Sequence, residues 1–486
     1  NDGVAKVVEP RTPTEYEVLR YELSSFVCDG EYRQGMERIL SAYLTNLARP
    51  AQPAVWVSGF YGSGKSHFVR VLEYLWRDIT FPDGATARGL TQLPAEISDL
   101  LIELSRAGRQ HGGLWSAAGT LGAGAGSVRL AMLAILFRSA KLPEQYAPAR
   151  FAIWLKQNDY FERFQREIEA AGKDLARELN SLYVSPLIAK ALLTVVSGFA
   201  PSEADAKALL RSQFPPVTEI SDDDLLRTIE DVLVLQSPSP DQLPCTLLIF
   251  DELQQFIGED PNRTLHVQNM VEACSTRFGS KLLFVATGQS ALQATPQLSK
   301  LQGRFTVRVQ LRDTDVEQVV RQVVLRKNPA RVSELERMLD RASGEISRHL
   351  GGTSIAARTT DHDVLVPDYP LLPTRRRFWE AVLRAVDNAG MAGQLRTQLR
   401  IVHEAAQRVA LAPLGAVVAG DFIYTQIKTD MLQSGTLSRE IDVMVEELAD
   451  GTADGTLRTR LCGLIFMIGK LPDTGASDTG LRATAA

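Results

Sequence analysis

Apolar side chains return at helix-face spacing along residues 14–48 (TEYEVLRYELSSFV, then GEYRQGMERILSAYLTNL), until Pro50 and Pro53 break the pattern. AVWVS, Ala54 to Ser58, is instead a short unbroken apolar run suited to a buried strand. A helix is predicted from about Lys65 through VRVLEYLW. From about 80 to 127 the chain is rich in Gly, Ala, Thr and Ser and predicts a loop or mobile connection, including GTLGAGAGS from Gly119 to Ser127. Helical patterns fill about 128–236, such as RLAMLAILFRSA and DYFERFQREIEAAGKDLARELN. Strand runs return at CTLLIF (Cys245 to Phe250), KLLFVATG (Lys281 to Gly288) and the alternating FTVRVQL (Phe305 to Leu311). Beyond Asp313 the pattern is helical almost throughout.

Strand, glycine loop, helix, then apolar strands with polar residues at their carboxyl ends predict an open, mostly parallel α/β sheet. Ligands in such sheets bind at those carboxyl ends. The expected organisation is a helical segment over 1–52 and an α/β core over 53–312, with a helical insertion at about 128–236. The helix-rich remainder, over 313–420 and 421–486, forms other domains.

Bulk properties narrow the partners more than the fold. The 486 residues are 45% hydrophobic and 23% charged, which excludes wholesale disorder and suggests about three domains. A net charge of −5 removes the simple electrostatic case for nucleic-acid or membrane binding, though not a local basic surface. Cys28, Cys245, Cys274 and Cys462 are scattered without a CxxC pair, which argues against zinc or a disulfide framework and fits a reduced, cytoplasmic location. The first residues lack the apolar run of a signal peptide, and LCGLIFMIGKL (Leu461 to Leu471) is about half the length of a membrane span. Both ends read as cut, as in a fragment of a longer protein.

Gly59-Phe60-Tyr61-Gly62-Ser63-Gly64-Lys65-Ser66 matches the phosphate-loop pattern in full, between a strand and a helix. Its glycines let backbone N–H groups surround phosphate oxygens, and the new helix adds the positive end of its dipole. Lys65 is expected on the β and γ phosphates and the Ser66 hydroxyl on Mg²⁺. Gly59, Tyr61, Gly62, Ser63, Gly64 and His67 complete the candidate ATP-binding set. The GAGAG run is a second candidate without the G-K-S/T ending, and flexible linker is the plainer reading.

LLIFDE places Asp251 at a strand tip, where it can hold Mg²⁺, and Glu252 where it can orient or deprotonate a water. A strand ending in two solvated acids is the plain alternative. With the phosphate loop present, the pair favours hydrolysis over transfer to a small substrate. Thr287, at the end of KLLFVATGQ, can contact the γ-phosphate or the lytic water, with Gln289 as its alternative. Arg304, just before a strand, can reach a phosphate in a neighbouring subunit, with Lys300 second and a surface role the plain reading.

Phosphate loop, acidic strand, polar-tipped strand, arginine, final strand and helical lid together resemble the AAA+ ATPases. In that likeness GQLRTQLRIVHEAAQRV (Gly393 to Val409) resembles the sensor-2 helix of the origin-recognition branch, which points to Arg396, with Arg400 one turn on as the alternative. Gln394 departs from the usual Asp or Asn there. PTRRRFWEAV poses a separate puzzle: Arg375, Arg376 and Arg377 crowd the positive end of a predicted helix. An anionic partner, nucleic acid or nucleotide would compensate; otherwise the run is a solvated basic turn. The six histidines show no ligand spacing.

The longer phrases GFYGSGKSHF, LLIFDELQQFIG and FVATGQSAL, with YELSSFV and DGEYRQGMERILSAYL upstream, resemble the amino-terminal part of the BrxC/PglY family. These are large P-loop ATPases of BREX bacteriophage-exclusion systems. The resemblance implies an antiviral ATPase acting with a methyltransferase and a PglZ-type protein. Its likeness to origin-recognition ATPases implies DNA contact, homo-oligomerisation, a helical lid over 313–420 and the start of a further helical or winged-helix-like region over 421–486, here truncated.

Overall fold

The computed structural model describes residues 7, 9–10, 12–59, 62–122, 126–239, 241–289, 291–292, 295–311, 314–349, 356–386 and 395–471. Two compact units are formed, one from residues 1–60 and 64–311, the other from 61–63 and 312–486.

The first unit is built on a sheet of five strands among the described residues: β1 (Val55–Ser58), β2 (Leu114–Thr120), β3 (Cys245–Asp251), β4 (Leu282–Gly288) and β5 (Val307–Gln310). They lie in the order β2-β3-β4-β1-β5, every pairing parallel. Strands buried on both faces need apolar residues at every position, which is why LLIF and VWV read as continuous runs. Alternate residues serve opposite layers. Trp56, Leu248, Phe250, Phe284 and Ala286 join one apolar cluster, and Val55, Val57, Leu247, Ile249, Leu283 and Val285 join the other.

One face is covered by α1 (Pro13–Ser24), α2 (Gly30–Asn46), α3 (Lys65–Arg77), α4 (Ala87–Leu90) and α5 (Ala95–Gln110). Residues 12–46 are thus integral to the sheet's core, with Leu19, Met36 and Ile39 fully buried. Ion pairs hold the chain before β1 to α3: Arg70 meets Glu22 at 2.7 Å, both inside the protein, and Arg77 meets Glu9 at 2.8 Å. The other face is covered by helices running from α6 (Val128–Ser139) to Asp222–Gln236, together with Pro261–Phe278. The 128–236 stretch therefore buries an apolar face on the sheet.

The reading of 80–127 as a loop is overturned. It holds α4, α5 and the whole of β2, which pairs with β3 from Leu114↔Cys245 to Thr120↔Asp251. The small residues that suggested a linker are there for packing: a Cβ on Gly119 would lie 2.8 Å from Ile135 of α6. Of the GAGAG run, residues 123–125 lie outside the described residues; Ser127 caps α6 by accepting from the Leu130 amide.

Among its described residues the second unit contains helices and no strand, with Pro373–Val386, Leu395–Val409, Phe422–Gln433, Arg439–Glu447 and Ala453–Ile468 among the helices. Phe378, Trp379, Ile401, Ala405, Ile423, Ile427, Leu464 and Met467 form one apolar cluster, so the core runs across the expected boundary near 420. From 422 to 471 the described residues contain helices and no strand, and no wing is seen there.

Candidate functional site at the carboxyl ends of the strands

β1 ends at Ser58, and α3 starts at Lys65 after a turn in which Gly62 and Gly64 have φ of 81° and 82°. Only glycine takes this left-handed region without steric cost. At Gly64 there is a second reason: an added Cβ would stand 2.6 Å from the Tyr32 hydroxyl. Tyr32 is a site residue that the sequence reading did not single out. Helical spacing placed it on the apolar face of α2, and that face closes behind the loop. Phe26 links Tyr32 and His67 by edge-to-face contacts, with centroids 6.0 and 5.6 Å apart.

Lys65 Nζ donates to the Gly59 carbonyl at 2.8 Å, so the side chain folds back along its own loop. Burial pushes its pKa down from 10.5 to about 8, against the opposing pull of Asp251 and Glu252. A desolvated ammonium coupled to two carboxylates, at the start of a helix, is suited to the terminal phosphates of a nucleotide. The His67 ring is engaged elsewhere, its Nε2 lying 3.0 Å from the Glu22 carbonyl, and burial lowers its pKa. The His67 backbone amide lies in the first turn of α3, where amides have no intrahelical acceptor. Tyr61 lies outside the described residues.

β4 lies between β1 and β3, and its tip meets both motifs. Val57 pairs with Thr287, and Phe250 with Ala286, which brings Asp251 level with Thr287 on the other side. The fully buried Thr287 hydroxyl donates to Asp251 Oδ1 at 2.6 Å and accepts the Glu252 amide at 2.9 Å. Glu252 has φ 59°, left-handed for a residue with a Cβ. Burial and the charge of Asp251 push its carboxyl pKa up, while Lys65 pulls it down. A raised pKa makes the carboxylate a stronger proton acceptor. Gln289 follows β4 and is exposed.

The remaining arginines stand elsewhere. The Arg304 carbonyl accepts from the Ala54 amide at 3.1 Å, level with the start of β1 and at the opposite end of the strands from the loop. Arg304 therefore stands away from its own chain's loop. Its half-exposed guanidinium pairs with Glu272 at 2.5 Å, a surface contact weak enough to exchange. Lys300 is exposed. Arg396 belongs to the Leu395–Val409 helix, but its side chain lies outside the described residues, as do Gly393 and Gln394. Arg400 is exposed and donates to Glu404 at 3.4 Å and Gln426 at 3.3 Å.

The Arg375–Arg377 run is neither a solvated turn nor an open anion site. Arg376 is buried and donates to Asp368 at 2.7 Å. Arg377 grips Asp361 at 2.6 and 2.8 Å and the Ala356 carbonyl at 2.8 Å. Arg375 donates to the Val418 carbonyl. The anions that offset the helix dipole come from the same unit.

Among the described residues no helix is long and apolar enough to cross a membrane. No protein-family model matches the chain. Among solved structures the chain is similar to one in "Structure of Drosophila ORC bound to DNA", with 14% identity and a TM-score of 0.29, over 96% of this chain and 83% of that one. That score is too low to transfer fold or function.

Proposed function

We propose that this chain binds ATP with Mg²⁺ and hydrolyses it, as an AAA+-type switch or motor of a BREX-like anti-phage complex. The observation that carries the ATPase reading is the joining of Asp251 and Glu252 through Thr287, together with the electrostatic coupling of both carboxylates to Lys65. The donor set fits the ligands: a glycine turn at positive φ, first-turn amides, a desolvated lysine, the Ser66 hydroxyl and a carboxylate. Bound Mg²⁺–ATP would supply the scissile phosphoryl bond and the metal's charge. Lys65 and the loop amides hold the phosphate tail, Ser66 and Asp251 hold the ion, and Glu252 orients a water and takes its proton. Arg304 would act on a neighbouring copy, and Arg396 or Arg400 on the nucleotide from the lid.

The family assignment rests on the phrases GFYGSGKSHF and LLIFDELQQFIG, and it brings the methyltransferase, the PglZ-type protein, DNA and homo-oligomerisation as expected partners. With Arg375–Arg377 used internally, DNA contact rests on that resemblance alone. The deciding test compares wild type, Lys65→Ala and Glu252→Gln for nucleotide affinity and phosphate release. Lys65→Ala should abolish binding. Glu252→Gln should keep ATP bound while turnover falls by about 10²–10⁴-fold, the range for loss of a general base. Bound ATP with no phosphate release in wild type, even with DNA and partners, would leave a nucleotide-locked scaffold instead.

A further inference from the structure

Thr287 occupies the place where the sequence predicts a phosphate-sensing group, yet its bonds point inward. A threonine hydroxyl has one proton to donate. Here that proton goes to Asp251 Oδ1 at 2.6 Å, and the same oxygen accepts the Glu252 amide at 2.9 Å. The side chain is fully buried. The residue whose amide is bound in this way is also the one with the unusual backbone, Glu252 at φ 59° and ψ 27°. A side chain with a Cβ is held there only when its surroundings fix it. Returning φ to the ordinary negative range would swing the Glu252 carboxylate away from its present direction.

We infer that Thr287 is a positioning residue, which through one hydroxyl orients the metal-binding carboxylate of Asp251 and locks Glu252 in its left-handed conformation. The inference rests on the ATPase reading for its catalytic consequence, but not for its structural one. Thr287 thereby couples two roles that neighbouring residues on one strand could otherwise lose separately. While it holds Asp251 it has no proton for a γ-phosphate, and any sensing of that phosphate from this strand falls to Gln289, exposed just beyond.

The test compares Thr287→Val, which keeps the shape and removes the hydroxyl, with Thr287→Ser, which restores it. ATP turnover is followed against Mg²⁺ concentration, ATP and ADP affinities are measured, and amide exchange is read in peptides spanning 251–254. Thr287→Val should lower turnover about tenfold or more and raise the Mg²⁺ needed for half-maximal rate. The ratio of ATP to ADP affinity should stay unchanged, and exchange at Glu252 should accelerate about tenfold or more once its acceptor is removed. Thr287→Ser should return all of these toward wild type. A selective loss of ATP over ADP affinity with an unchanged Mg²⁺ requirement would make Thr287 a phosphate sensor and overturn the inference. So would unchanged exchange at Glu252. If wild type binds no nucleotide, the ATPase reading fails, and the exchange comparison alone decides whether Thr287 holds Glu252. Should Thr287→Val fail to fold, Thr287→Ala is judged by the same exchange measurement.

Discussion

Asp251-Glu252 in the first unit and Arg375-Arg376-Arg377 in the second are both runs of like charge at the end of an element. The two runs differ in where their counter-charges come from. The arginines each find an acceptor within their own unit: Asp368, Asp361 and the Ala356 and Val418 carbonyls. The carboxylates stand beside a lysine whose own pKa is depressed by burial. Asp251 is met by a neutral hydroxyl, and Glu252 is held by its backbone. A charge run with internal partners stabilises a fold. One with strained backbone and a desolvated neighbour is poised for a ligand that brings its own charge.

Removing the internal partner of the arginines should have the largest effect on this contrast. Asp368 is buried and receives Arg321 at 2.6 and 3.0 Å as well as Arg376 at 2.7 Å. Asp368→Asn should destabilise the protein by about 3 kcal/mol, the scale for breaking a buried ion pair. Thermal or denaturant unfolding reads this directly, and a shift below about 0.5 kcal/mol would return the run to the surface-charge class.

A smaller effect is expected from pH. Because the Lys65 pKa is lowered to about 8, its charge in the ligand-free protein is lost as pH rises through that value. Affinity for ATP should therefore fall above about pH 8, by up to about tenfold per pH unit. The stability contribution has the opposite sign. Between about 8 and the ordinary 10.5 the unfolded chain binds the extra proton, so this group's penalty on folding is relieved as pH rises. An affinity that is flat from pH 7 to 10 would remove Lys65 from the phosphate site.

The smallest effect expected is on DNA. Every phosphate that a protein neutralises on duplex DNA adds about 0.9 to the steepness of log affinity against log salt. Arg377→Gln should leave that slope unchanged for any DNA complex of the protein, because its guanidinium is engaged by Asp361. A change of about one unit, in a variant that still unfolds cooperatively, would break the comparison.

Much of the first unit could be read along the chain. VWVS, LLIF and LLFVATG are strands because both faces of a parallel sheet are covered, and that demand leaves unbroken apolar runs. LWSAAGT escaped because an edge strand under a closely packed helix selects small residues, which in isolation resemble a linker. Tyr32 escaped because a tyrosine on an amphipathic helix carries no mark of the loop it will meet. In the second unit, PTRRRFW reads as misplaced charge only because Asp361, Asp368 and Val418 are not visible as its partners before folding.

What the sequence determined by itself are the features whose physics is local: glycines where the turn requires positive φ, a lysine opening a helix, and acids ending an apolar run. The tertiary structure alone decided that β4 separates the two motif strands. It thereby decided that Thr287 gives its proton to Asp251, that Arg304 stands at the far end of the strands, and that the arginine run is neutralised from within. Hydrogen-bond partners are allocated by sheet order and packing between distant segments, and a hydroxyl's single proton goes to whichever acceptor that packing brings closest.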